Sequence, residues 1–110
     1  MTEHQFVTSL IVVLEHAHQR PLMYCSNVDT ADSFLRGIQI AMNLYIGNIP
    51  EHKIRGQVIV ERGWTWSSLL PWDEMRRTGM DEIQIITEMF SVELQVWRRV
   101  ATILSEDNQS

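Results

Sequence analysis

A stripe of apolar residues at three- and four-residue spacing covers positions 83–104, and few folds can accommodate it. Ile83, Ile86, Met89, Phe90, Leu94, Trp97, Val100, Ala101 and Leu104 fall on one side of an α-helix. Asp81 and Glu82 stand at its start and Arg98 and Arg99 near its end, and both pairs suit the helix macrodipole. Residues 81–104 would extend roughly 36 Å at 1.5 Å rise per residue. A helix of that length must be the long axis of a small domain. The polar residues 105–110 that follow are expected to form a frayed, flexible tail.

The remaining pattern is also helical. Thr2 and Gln5 have the spacing of a capping box, which predicts a helix from there to about His18. Phe6, Val7, Leu10, Ile11, Val12, Val13, Leu14 and Ala17 cover most of its circumference. A helix apolar all round is buried on several sides, so it is expected to be either the central helix or part of a subunit interface. The β-branched run Ile11, Val12, Val13 would suit a strand, but the flanking helical pattern outweighs it.

Arg20-Pro21 ends that helix, because the residue before proline avoids the α region. A loop carrying Leu22, Met23 and Tyr24 follows. There Met23 and Tyr24 are expected to insert between helices, and Arg20 to pair with an acidic residue. A second helix is predicted to start at Asp29 or Thr30, with Phe34, Leu35, Ile38, Ala41, Met42 and Tyr45 inward and a left-handed cap at Gly47-Asn48. A third begins at Pro50-Glu51 and runs towards Gly63. Positions 57–60 could form a strand, but no second strand exists nearby to pair with it. A short helix from about Trp72 to Thr78 ends at Gly79. The chain is thus predicted to be a single all-α domain, 1–110, of four or five helices. Its first and last helices should pack together.

Composition removes several functions. The net charge is −5, whereas phosphate binding needs a basic surface. Nucleic acid is therefore not an expected partner, and the doublets Arg76-Arg77 and Arg98-Arg99 read as helix C-terminal residues. The longest apolar run is residues 10–14, far short of the ~20 needed to span a bilayer. The first residues, Met1-Thr2-Glu3-His4, do not resemble a signal peptide. Cys25 is the single cysteine, so no internal disulfide or zinc ribbon can form, which fits a reducing cytoplasm.

No constellation for catalysis stands out. His16 and His18 are two residues apart, about 200° around a helix, so one ion cannot take both. Cys25 has no neighbouring histidine and reads as a small buried apolar residue. No nucleophile elbow, phosphate loop or dinucleotide fingerprint is present. The pairs Asp73-Glu74 and Asp81-Glu82 look like helix starts. No metal or cofactor is expected.

The unabsorbed feature is the stretch 63–72, which holds Trp64, Trp66 and Trp72 and no formal charge. In an extended stretch Trp64 and Trp66 point the same way, so they are expected to cover one end of the bundle. Trp72 should be more exposed, rimmed by Asp73, Arg76 and Arg77. Trp and Arg dominate interface hot spots, which makes Trp72, Arg76 and Arg77 candidates for a partner contact.

The segment Arg20-Pro21-Leu22-Met23-Tyr24, followed by Phe34-Leu35 and Gly37, resembles a pattern of small bacterial helical proteins of unknown function. Some of those have immunity- or antitoxin-like neighbours. The resemblance covers about half the chain and implies a helical fold and a bacterial cytoplasmic setting. It carries over no catalytic residue. This chain departs from the pattern at Leu22, where a glycine is expected, and lacks the glycine after Tyr24. The expectation is a non-catalytic protein-binding or regulatory module, forming a homodimer through its first or last helix. The alternative is a ligand-binding or enzymatic pocket lined by Trp64, Trp66, Tyr24 and His18.

Overall fold

A computed structural model describes residues 1–47, 49–65 and 71–109; of Pro71 and residues 107–109 only the backbone is described. The chain is all-α. Its helices are α1 (Glu3–Gln19), α2 (Val28–Tyr45), α3 (Glu51–Glu61), α4 (Pro71–Arg77) and α5 (Glu82–Gln109), with a short 3-10 turn at Pro21–Met23. Among the described residues there is no strand.

The central helix is α5, not α1. Each of the other helices packs on α5, and α1 makes the most extensive contact. Burial follows from this. Ile85, Val92 and Val96 join Ile86, Met89, Phe90, Trp97 and Val100 in the core, because neighbours approach α5 from several sides. Ile83, at the end of the stripe, is instead exposed. By contrast α1 buries a single line, Val7, Ile11, Leu14 and Ala17, and leaves Val12 64% exposed. Its apolar circumference is only partly used.

Helix ends obey local chemistry. The capping box of Thr2 and Gln5 is formed. The start of α2 is capped by Asn27, two residues before the first expected position, and Thr30 completes the box from inside the helix. The Val28 amide also donates to Glu82 Oε1 at 2.7 Å. That carboxylate sits between the N-termini of α2 and α5, where negative charge is favoured. At the other end α2 closes on Ile46 in an extended conformation. Gly47 has no positive φ, so the expected left-handed cap is not made there; Asn48 lies outside the described residues. Among the described glycines, positive φ belongs to Gly63 and Gly79, both at 89°, after α3 and α4.

Two boundaries move. The expected tail is helical through Gln109, so α5 has 28 residues. Arg98 and Arg99 therefore lie within the helix, not at its C-terminus. They serve as cross-links: Arg98 to Glu15 of α1 at 3.4 Å, and Arg99 to Glu61 of α3.

Candidate functional site

The sequence places an arginine, Arg55, among the apolar residues of α3 and a glutamate, Glu93, on the inward stripe of α5. Packing brings them together. Arg55 is 7% exposed and Glu93 2%. Arg55 Nε and Nη2 both donate to Glu93 Oε2, at 3.0 and 2.8 Å. Gln39 Nε2 of α2 donates to the other Glu93 oxygen, and Arg55 Nη1 donates to Glu51. Asn43 Nδ2 donates to Glu51 Oε1 at 3.2 Å. One polar chain therefore stitches α2, α3 and α5.

Burial pushes the Glu93 carboxyl above its usual range. The Arg55 charge and the bonds from Arg55 and Gln39 draw it back but do not outweigh burial, and nearby Glu51 adds to the rise. Burial alone would lower Arg55; the Glu93 and Glu51 carboxylates more than reverse that, so the guanidinium stays charged. It also lies 5.8 Å from the centroid of the Trp97 ring, within cation–π range. Further along, Arg62 binds both oxygens of Glu88 and donates to Gln95 Oε1 at 3.0 Å. These contacts orient α3 on α5.

The alternative pocket of Trp64, Trp66, Tyr24 and His18 lies partly outside the described residues, because Trp66 does. Tyr24 meets His16, not His18: its hydroxyl bonds His16 Nδ1, and the two rings stand edge-on at 5.5 Å. Tyr24 then contacts Phe34 at 5.7 Å, and Phe34 contacts Phe90 at 5.9 Å. This aromatic file runs from the surface into the core. His18 is half-buried near the end of α1. Met23 is exposed rather than inserted, since Tyr24 alone fills the gap beside Phe34. Among the described residues Arg20 makes no ion pair.

Trp64 and Trp72 are both half-buried against the core, where the sequence suggests a buried Trp64 and a more exposed Trp72. The reason is that α4 lies along α5, so its first turn faces inward. The Trp72 and Trp97 Nε1 donors are shielded from solvent and have no acceptor among the described residues. Trp66 lies outside the described residues. Arg76 bonds Asp73 at 3.3 Å and approaches Asp29 at 4.0 Å, while Arg77 is exposed. Cys25 is buried, its thiol hydrogen-bonds Pro21 O at 3.3 Å, and burial pushes its pKa up. Such a thiol is a poor nucleophile. Among the described residues no three His, Cys, Asp or Glu side chains converge as a metal site requires.

Two surface features remain. An open groove of about 660 Å³ follows α3 past His52, Lys53, Gly56, Gln57, Val60 and Glu61. The other lies on α2, opposite its buried line of Ala31, Leu35, Ile38 and Met42. There Ser33, Gly37, Ile40 and Leu44 share one face, because four- and three-residue steps return to the same side of a helix. Ile40 is 61% exposed and Leu44 84%. Residues 37–50 contain no charged side chain and no histidine. At the rim Tyr45 is fixed by a stack on Phe6 at 4.2 Å and by a hydrogen bond from its hydroxyl to Met1 O at 2.9 Å. Tyr45, expected on the inward line, is 44% exposed, and Leu44 has no place on that line. The signal was present: the inward line of α2 is complete without position 44, so an aliphatic residue there has to face out.

No family model, curated protein or solved structure matches the chain.

Proposed function

We propose that the chain is a non-catalytic protein-binding or regulatory module of a bacterial cytoplasm, and that its contact surface is the outer face of α2. The observation that carries this is the exposed line Gly37, Ile40 and Leu44 within a stretch free of charge. Contiguous apolar surface on a well-formed helix has no structural use in a monomer and marks interaction sites. The buried, free Cys25 fits a reducing compartment. No described helix is long and apolar enough to cross a membrane.

The test compares the tagged full chain with an Ile40→Glu/Leu44→Glu variant, both expressed in source cells and recovered by affinity purification. Both side chains are exposed, so the variant should keep its fold. The reading requires at least one protein that the parent retains and the variant loses. Identical sets from the two, at equal thermal stability, would overturn it.

A further inference from the structure

We propose that α3 is a flap on α5 that a proton on Glu93 holds closed and that loss of this proton releases. The polar cluster beneath α3 is unbalanced. One guanidinium, Arg55, serves two carboxylates, Glu93 and Glu51. Arg55 and Glu93 are almost closed to solvent, and the Glu51 side chain is 14% exposed. With both carboxyls ionised, the cluster buries one uncompensated negative charge, which a site shielded from water disfavours. A single proton removes it. Glu93 is the deeper carboxyl; burial and Glu51 favour its neutral form, while Arg55 and Gln39 oppose them. The charged groups that act on it are thus Arg55 and Glu51, both from α3. Among the described residues α2 offers only the uncharged Gln39, and no charged group of α1 or α4 bears on it.

The placement of these groups makes α3 the part that leaves. Among the helices α3 packs extensively on α5 alone, and a glycine stands beyond each of its ends, Gly47 and Gly63. Arg55 and Glu51 lie one turn apart on α3, whereas Glu93 belongs to α5. When α3 lifts, the Arg55–Glu51 pair travels together and Glu93 passes into water. Both carboxylates are then satisfied without a proton. The other pairs across this contact, Arg62–Glu88 and Arg99–Glu61, match one cation to one carboxylate and bury no excess. Val58 and Ile59 of α3 are fully buried in the closed form, so the open form is the minor one. A released Glu93 ionises near pH ~4.3, and the closed form holds its proton to higher pH. Between those two values opening consumes no proton and closing takes one up. The open population therefore grows by up to about tenfold per pH unit across that window and levels off above it.

Amide hydrogen exchange of the full chain, followed residue by residue by NMR and corrected for intrinsic rates, tests this. Amides of residues 55–61 should be less protected than those of residues 89–100 at every pH. Their protection should fall as pH rises from about 4, by up to about tenfold per unit, and then become constant. In Glu93→Gln it should be independent of pH. Glu51→Gln lies at the edge of the cluster and leaves Arg55 matched to Glu93 alone, so the fall should begin at lower pH than in the parent. Equal protection of α3 and α5 would mean that α3 leaves only with the whole fold, and would overturn the proposal. So would a flat profile in the parent, or an unchanged profile in Glu93→Gln. Should Glu93→Gln fail to fold, Glu51→Gln decides: an onset that stays where the parent has it overturns the proposal.

Discussion

Arg55 reaches across from α3 to hold a single oxygen of Glu93 with two nitrogens, at 3.0 and 2.8 Å, where both side chains are almost closed to solvent. Removing one member of a buried pair strands the other, which typically costs 3–5 kcal/mol. Glu93→Ala leaves Arg55 with Glu51 alone, so urea unfolding should show a loss of about 3 kcal/mol. The double variant Arg55→Met/Glu93→Leu should be more stable than Glu93→Ala. A double variant weaker than the single one would mean that the stranded guanidinium costs little, and a double variant weaker than the parent would mean that the pair contributes net stability.

The same carboxyl sets a pH dependence. Its pKa in the fold lies above the usual value, chiefly through burial. In the unfolded chain Glu93 ionises near pH ~4.3. Between that value and the raised one, the folded state holds a proton that the unfolded state has lost. Stability is therefore full below the unfolded pKa and declines as pH rises through the folded pKa. Urea midpoints measured from acid towards neutral pH should fall over that window in the parent. In Glu93→Gln, which cannot ionise, this component should vanish. Parallel profiles for the two proteins would contradict the assignment.

Two glycines should respond in opposite directions to one substitution. Gly37 is helical with open space around it, so Gly37→Ala should stabilise by about 0.5–1 kcal/mol. Gly79 has φ of 89°, a conformation that costs an L-residue about 1–2 kcal/mol. Gly79→Ala should lower the thermal midpoint even though nothing lies within 4 Å of the added carbon.

Tyr24 separates packing from hydrogen bonding. It is half-buried, so Tyr24→Ala should cost less than a fully buried aromatic, about 2–3 kcal/mol. Tyr24→Phe keeps the contact with Phe34 and loses only the hydroxyl bond to His16, about 1 kcal/mol. Equal destabilisation by the two substitutions would place the energy in the hydroxyl instead of the ring.

The parts of the fold legible in sequence were those written in short-range periodicity. The last helix announced itself because nine apolar positions repeat at 3–4 spacing, and the capping box at Thr2 because both its partners lie within one turn. What escaped depended on distance in sequence or on counting neighbours. Nothing local told Arg55 that its carboxylate would arrive 38 residues later, although Glu93 sits between Phe90 and Trp97 on an inward line. The all-round apolarity of α1 suggested a central helix. The central position belongs to α5, whose burial of Ile85, Val92 and Val96 needs four partners rather than a wider stripe. Helix length was underestimated because the polar residues 105–109 lack periodicity, yet they have no proline or glycine to stop a helix already under way.

All four other helices lean on α5, and of the five α5 is the last to be made. Synthesis runs from the N-terminus, so Val7, Leu14, Leu35, Met42 and Val58 leave the ribosome before the surface that shelters them exists. At about 5–20 residues per second, the 28 residues of α5 take about 1–6 s to add. During that interval α1 to α4 lack the common surface on which they pack. Folding of this unit therefore waits for α5, and a nascent chain arrested before residue 82 lacks the surface on which the other helices pack.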